Sequence, residues 1–436
     1  MSPQQKIRPR ERRAILASLA AGLVPRVGQQ HIQVGRINEV QALVKDIDHI
    51  AEGGSAIRFV IGEYGSGKTF FLNLVRSIAL EKRLVAASAD LTPDRRLHAT
   101  GGQARNLYAE LTKNLATRAK PDGGAMPSVV ETFVTSALKQ ATESGAQPQA
   151  VIQQRLAILN EMVGGYDFAQ VIASYCRGHE TGNEALQSDA IRWLRGEFST
   201  RTDARQALGV RTIIDDASVY DHLKLLARFV RLSGYKGLLV CLDELVNVYK
   251  LANSQARKSN FEQILRILND TLGGGDGIGF VLGGTPDFLM DTRKGLYSYE
   301  ALQSRLAENP FAREGIVDYS GPVLRLMNLS PEDLFVLLQN IRNVHASGDE
   351  NRVEIPDEAI GAFMSHCSQK VGDAHFRTPR SSVKAFVNLL AVLDQNPGLQ
   401  WSNLVGSVEL ESDTNPDLEP LDESAEPGDE LTSFQI

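Results

Sequence analysis

The sequence predicts an α/β fold. A parallel sheet flanked by helices carries a large helical insertion and is followed by a C-terminal helical domain. Three observations predict it. An apolar run, Ile57–Ile61, leads into Gly-Glu-Tyr-Gly-Ser-Gly-Lys-Thr at 62–69, a complete G-x-x-x-x-G-K-[ST] loop, and an apolar-rich stretch, Phe70–Leu80, follows. Strand, loop and helix in that order are the context in which such a loop cradles phosphate. A second continuous apolar run, residues 237–242, ends in Asp243-Glu244, as suits a parallel strand buried on both faces. A third, Ile278–Leu282, ends in Gly283-Gly284-Thr285-Pro286.

Residues 1–30 read as a helical arm whose basic cluster, Lys6, Arg8, Arg10, Arg12 and Arg13, is either a phosphate contact or a solvated, frayed end. Residues 31–320 form the core. There Val40, Leu43, Val44 and Ile47 recur at helical spacing after Gly35-Arg36, and Leu84–Ala89 is a further strand ending at Asp90. The helical insertion occupies about 101–230. Its expected helices are Asn106–Arg118, Pro127–Thr142 and Ala150–Val163, and Pro121-Asp122-Gly123-Gly124 breaks the first from the second. Trp193 is read as a helical core residue rather than a partner-binding aromatic. Asn260–Leu272 forms a helix closed by three glycines. Residues 321–406 read as a small helical domain. Ser330-Pro331-Glu332-Asp333 is a strong helix start, Leu334, Leu337, Leu338 and Ile341 follow at helical spacing, and further helices begin near Pro356 and Pro379. The tail, 407–436, is acidic and expected to be disordered.

The 436 residues suit two or three domains at roughly 100–200 residues each. No apolar run reaches the roughly 18 residues of a membrane span, and residues 1–16 lack a secretory pattern. Three widely spaced cysteines, Cys176, Cys241 and Cys367, suggest neither a metal site nor a disulfide framework, so a cytoplasmic location is expected. The net charge of −7 is unevenly placed: the tail holds ten acids and no base, and the body, with 46 bases and 43 acids, is at +3. That balance permits nucleic-acid binding without demonstrating it.

The chemistry concentrates at the strand ends. Gly62, Glu63, Tyr64, Gly65, Ser66, Gly67, Lys68 and Thr69 form the candidate phosphate cradle, with backbone amides and a helix N-terminus turned toward the anion. Lys68 suits the β- and γ-phosphates of a nucleoside triphosphate, and the Thr69 hydroxyl suits Mg²⁺. Asp243 is a second Mg²⁺ ligand candidate, and Glu244 can polarise an attacking water. Thr285 is either a hydroxyl reaching the γ-phosphate or water, or a turn residue before Pro286. Arg305 is either a finger reaching a neighbouring subunit's nucleotide or a surface ion-pair residue. Arg377 and Arg380 open the third C-terminal helix, and Arg380, beside Pro379, is the better candidate to approach phosphate. A kinase-like transferase could use the same loop, but no acceptor-binding motif is visible.

In this order of parts the chain resembles the AAA+ ATPases, and within them the BrxD-like ATP-binding proteins of bacterial BREX phage-resistance systems. The resemblance spans about residues 15–400. It is carried by residues 31–36 (His-Ile-Gln-Val-Gly-Arg), the 62–69 loop, residues 193–197 (Trp-Leu-Arg-Gly-Glu), residues 234–239, residues 330–334 and Thr378-Pro379-Arg380. The 193–197 piece narrows the match most. The resemblance implies an AAA+ core with a C-terminal helical lid, with Gly35 and Arg36 joining the nucleotide site. It also implies ATP hydrolysis in phage defence with Mg²⁺, as a homo-oligomer, on double-stranded DNA and beside other BREX proteins. A nucleotide-gated scaffold is the alternative output. Thr285 departs from the Asn that many AAA+ proteins carry at that point. The sequence stops soon after the lid, where origin-recognition relatives carry a winged helix, so DNA contact would fall to the core, insertion or arm.

Overall fold

A computed structural model describes residues 7–312, 317–347, 355–371, 379–396 and 398–406. The acidic tail, Lys6, Arg377 and Thr378 lie outside them. The apolar runs become one wholly parallel sheet: β1 (Ala56–Gly62), β2 (Val85–Asp90), β3 (Leu238–Asp243), β4 (Ile278–Gly284) and β5 (Val323–Leu326), in spatial order β2-β3-β4-β1-β5. Successive side chains on a strand point to opposite faces. In β3, Leu238, Val240 and Leu242 therefore enter one core while Leu239 and Cys241 enter another.

Helix α1 (Pro9–Ala20) precedes the sheet. α2 (Ile37–Ala51) and α3 (Lys68–Glu81) cover the face that carries Leu239 and Cys241. Between β2 and β3 run α4 (Gln103–Lys113), α5 (Met126–Ser144), α6 (Pro148–Leu156), α7 (Gly165–Thr181), α8 (Glu184–Leu194), α9 (Arg201–Leu208) and α10 (Val219–Leu232). Their apolar faces merge with the opposite sheet face into a single core. α11 (Val246–Tyr249), α12 (Ser254–Gly273), α13 (Pro286–Met290) and α14 (Glu300–Leu306) complete that side. α15 (Pro331–His345), α16 (Asp357–Val371), α17 (Pro379–Gln395) and α18 (Trp401–Val405) close the described chain.

Several elements differ from the sequence reading. The helix expected over Asn106–Arg118 ends at Lys113, because the chain turns to pair Ala116 with Ala86 beside β2. The one expected over Ala150–Val163 ends at Leu156 and tightens into a 3₁₀ turn, Ala157–Glu161. β5 was not anticipated. Four residues of edge strand, with an arginine among them, carry too little pattern to read. Buried Arg58 anchors the approach to this edge: its Nε donates to Asp46 at 2.6 Å, and its Nη1 donates to the carbonyls of Tyr319 (2.9 Å) and Gly321.

The N-terminal helix does not stand free. Ile15 joins Leu338, Ile341 and Phe386 in a core shared with α15 and α17, and Arg12 Nε donates to the His345 carbonyl at 2.7 Å. Ser330 caps α15 by accepting from the Asp333 amide at 3.1 Å. All three cysteines are free and buried, and burial pushes Cys176 and Cys241 up to about 12 and Cys367 to about 11, far from reactive thiolates.

Trp193 is a core residue. Only 1% of it is exposed, Phe168 and His222 meet it edge-on, and its Nε1 donates to the Thr212 carbonyl at 2.9 Å. Trp193→Ala is expected to cost about 3–5 kcal/mol through the cavity it opens. Urea unfolding of the two proteins measures this as a lowered midpoint.

Candidate nucleotide-binding site

Because all five strands are parallel, the segments that follow β1, β3 and β4 emerge at one sheet edge. β1 ends at Gly62, the loop turns through Gly65 and Gly67 in the left-handed region, and α3 begins at Lys68. Gly62 serves a different need from the one its motif position suggests. Its φ is not left-handed, but a Cβ there would fall 2.5 Å from Ser66 Oγ and 3.0 Å from the Leu326 carbonyl. β5 thus presses on the loop's first residue. Lys68 curls back over the loop and donates to the carbonyls of Gly62 and Glu63, each at 2.9 Å. Ser66 Oγ is buried and has no hydrogen-bond partner among the described residues.

Thr69, the second residue of α3, donates its hydroxyl to Asp243 Oδ2 at 2.7 Å. Asp243 Oδ1 accepts the Glu244 amide at 2.9 Å. Asp243 is buried, and the strand between, β4, makes room for it: a Cβ on Gly283 would stand 2.4 Å from Asp243 Oδ1. Glu244 has φ 59, in the left-handed region, a conformation that costs a non-glycine residue about 1–3 kcal/mol and recurs at functional sites. This turn leaves the Glu244 side chain exposed in the cleft, while the next amide, Leu245, donates back to Gly283 at 3.1 Å.

Arg36, also left-handed at φ 58, reaches the loop from the N-cap of α2. Its Nη2 donates to the Ser66 carbonyl and, at 3.3 Å, to Met327, just after β5. Burial lowers its pKa, with Glu39 and Asp333 opposing, and its Nη1 is buried without a hydrogen-bond partner among the described residues. Gly35 lies behind it, against the Asp333 carboxylate. Across the cleft, Arg380 at the start of α17 donates to the Tyr64 hydroxyl at 2.8 Å. The cleft has a volume of about 480 Å³, and Tyr64, Gly65, Ser66, Gly67, Lys68, Thr69, Asp243, Glu244, Arg36 and Arg380 all line it. Gly62 and Glu63 do not line it, and reach it only through their carbonyls, which accept from Lys68.

Two sequence-predicted residues stand apart. Thr285 is buried at the end of β4 and caps α13, its hydroxyl oxygen accepting the Phe288 amide at 3.4 Å. Arg305 lies on α14, where it donates to Asn269 Oδ1 at 2.7 Å and to the Ala301 carbonyl at 2.9 Å. Conversely, Asp90 belongs to the cleft and was not assigned to it. It ends β2 in register with Asp243, and burial first, then the Asp243 charge, raises its pKa. The same signal that marks Asp243, an apolar run ending in an acid, marks Asp90. The apolar wall formed by Leu23, Val24, Pro25, Ile32 and Val34 had no such signal.

A family model described as "BREX system ATP-binding protein BrxC/D" matches residues 7–409. The chain belongs to this family. The match runs from α1 through the sheet and insertion to the C-terminal helices, so every residue named in the cleft lies inside it. No curated protein matches the chain. Among the described residues, no helix of this BrxC/D family member is long and apolar enough to cross a membrane.

Gly283→Ala is expected to displace the Asp243 carboxylate. Isothermal titration with ATP and Mg²⁺ should show affinity reduced by about tenfold or more, as for a lost charge-assisted contact, with the circular dichroism spectrum retained.

Proposed function

We propose that this protein binds ATP with Mg²⁺ in the cleft and hydrolyses it, as an AAA+ ATPase acting in phage defence within a BREX system. The observation that carries the reading is the 2.7 Å bond from Thr69 to Asp243, which joins the phosphate loop to the acidic strand end across 174 residues of sequence. Thr69 Oγ1 and Asp243 Oδ2 are hard oxygen donors, and Mg²⁺ is commonly held by one or two carboxylates together with substrate phosphates. The residues present therefore fit the ion. When bound, Mg²⁺ would neutralise charge on the β- and γ-phosphate oxygens.

In this reading Lys68 leaves the Gly62 and Glu63 carbonyls for the phosphates, and the loop amides and the Ser66 hydroxyl, unpartnered among the described residues, receive phosphate oxygens. Glu244 orients the attacking water. Thr285 contributes from the end of β4: a hydroxyl that accepts from a helix amide keeps its own proton to donate. The apolar wall around Val24 and Ile32 takes the base. Arg380 and the C-terminal helices act as a lid. Arg305 acts on a neighbouring subunit's nucleotide within a homo-oligomer. Double-stranded DNA is the proposed substrate of the motor, other BREX proteins its partners, and the cytoplasm its location.

A second reading, a nucleotide-gated scaffold, draws on the bonds from Arg380 to Tyr64 and from Arg36 to Ser66 and Met327. These join the C-terminal helices and the sheet edge to the loop, so nucleotide occupancy can change the surface those helices present. The two readings share the cleft and differ in output.

ATP with Mg²⁺ at about 100 times its Kd should stabilise the parent by about 2.7 kcal/mol, seen as a raised melting temperature that Lys68→Ala abolishes. Glu244→Gln should keep the melting shift and lose turnover; if that variant still confers full phage resistance, the scaffold reading stands and the motor reading falls. Arg305→Ala should lower hydrolysis by about 10³-fold or more while ATP binding is unchanged, read by coupled phosphate assay and titration.

A further inference from the structure

β2 and β3 end side by side. They pair in register from Val85 and Leu238 to Asp90 and Asp243, so the two acids stand about 4.8 Å apart at Cα. Side chains alternate along each strand, and Ala89 and Leu242 enter the core shared with the insertion. Asp90 and Asp243 therefore both point to the face that α3 covers. The placement is secured by the chain beyond. The Leu91 amide, just past β2, donates to the Asp243 carbonyl at 3.0 Å, and Asn247 Nδ2 on α11 donates to the Leu91 carbonyl at 2.8 Å.

The two acids differ in what they already hold. Both oxygens of Asp243 are engaged, Oδ2 by the Thr69 hydroxyl and Oδ1 by the Glu244 amide. The Asp90 carboxylate accepts no hydrogen bond and forms no ion pair among the described residues. Of the arginines whose charge reaches it, Arg95 is paired with Glu110 at 3.9 Å and Arg26 makes no bond to it, while Glu110 adds like charge. Two carboxylates side by side are unfavourable as anions until a cation is shared between them. Asp90 lines the same cleft as Ser66, which is 0% exposed and whose Oγ has no partner among the described residues. A free acceptor and a buried free hydroxyl thus border one space.

Mg²⁺ gives up its waters reluctantly, so it usually keeps several beside one or two carboxylates and the substrate phosphates. Thr69 and Asp243 supply oxygens on one side, and the waters that remain need acceptors for their protons. We propose that Asp90 is such an acceptor: a positioning residue that takes hydrogen bonds from water held by Mg²⁺ and so orients the ion between the loop and β3. The inference rests on the reading of the cleft as an ATP and Mg²⁺ site. It gives Asp90 a task distinct from that of Glu244, which orients the attacking water, and from that of Asp243, which ligates directly.

The test is isothermal titration of the full chain with ATP in Mg²⁺ and in EDTA. The factor by which metal strengthens binding should fall by about tenfold or more in Asp90→Ala, as when an outer contact of a metal is lost. Affinity in EDTA should be unchanged or raised, since a negative charge has left the neighbourhood of the phosphates. Asp90→Asn keeps one acceptor oxygen and the same shape, so it should fall between the parent and Asp90→Ala, and it carries the test if Asp90→Ala does not fold. Equal losses in Mg²⁺ and in EDTA would mark a merely structural role and overturn the proposal. So would a metal factor unchanged in Asp90→Ala but lost in Asp243→Ala, a result under which the reading of the cleft stands. A parent that gains nothing from metal would overturn that reading and the role of Asp90 together.

Discussion

The site depends on one hydrogen bond, from Thr69 to Asp243. Its two residues belong to α3 and β3, and a whole strand, β4, lies between β3 and the strand that feeds the loop. Adjacent strands are about 4.8 Å apart, and it is α3, crossing the sheet above β4 and β3, that carries Thr69 to within 2.7 Å of Asp243. That reach is possible only because position 283 has no Cβ to occupy the space above β4. The sheet order, the glycine and the acid therefore act as one constraint: β4 must be present, thin at its end and in register. The left-handed turn at Glu244 is the local cost of ending β3 at this point.

Around that bond the loop is held from three directions. β5 approaches Gly62 from the sheet edge, Arg36 grips the Ser66 carbonyl from α2, and Arg380 meets Tyr64 from α17. Arg36 also reaches Met327, so a movement of the edge strand is felt at the loop through one guanidinium. That group is largely buried and keeps one donor, Nη1, unpartnered among the described residues. A polyphosphate oxygen would compete with the Ser66 carbonyl for the guanidinium's N–H donors.

Much of this was legible in the sequence because short-range pattern decides it. The loop is a contiguous eight-residue motif, β3 and β4 are uninterrupted apolar runs with distinctive ends, and Ser330 starts α15 by a cap that needs only local residues. β5 was not legible: an edge strand of four residues takes its identity from its neighbour, and Arg58 with Asp46 secures that edge from elsewhere in the chain. Asp90 was visible as the end of a strand, but its place in the cleft follows from register with Asp243, a tertiary fact. The apolar wall from Leu23 to Val34 is formed by a connecting segment with no periodicity, and only folding brings it to the loop. Arg305 was marked by its setting in sequence; on α14 it is exposed and donates to Asn269 and to the Ala301 carbonyl.

The seating of α1 bears on how the chain is made. Its apolar stripe, with Ile15 at the centre, packs against helices that lie more than three hundred residues downstream, as the bond between Arg12 and His345 shows at a separation of 333. At a synthesis rate of about 5–20 residues per second, that stripe leaves the ribosome about 15–65 s before its partner exists. A nascent greasy helix without a mate for so long is a natural ligand for a chaperone, and the domain it completes is the last part of the molecule that can fold.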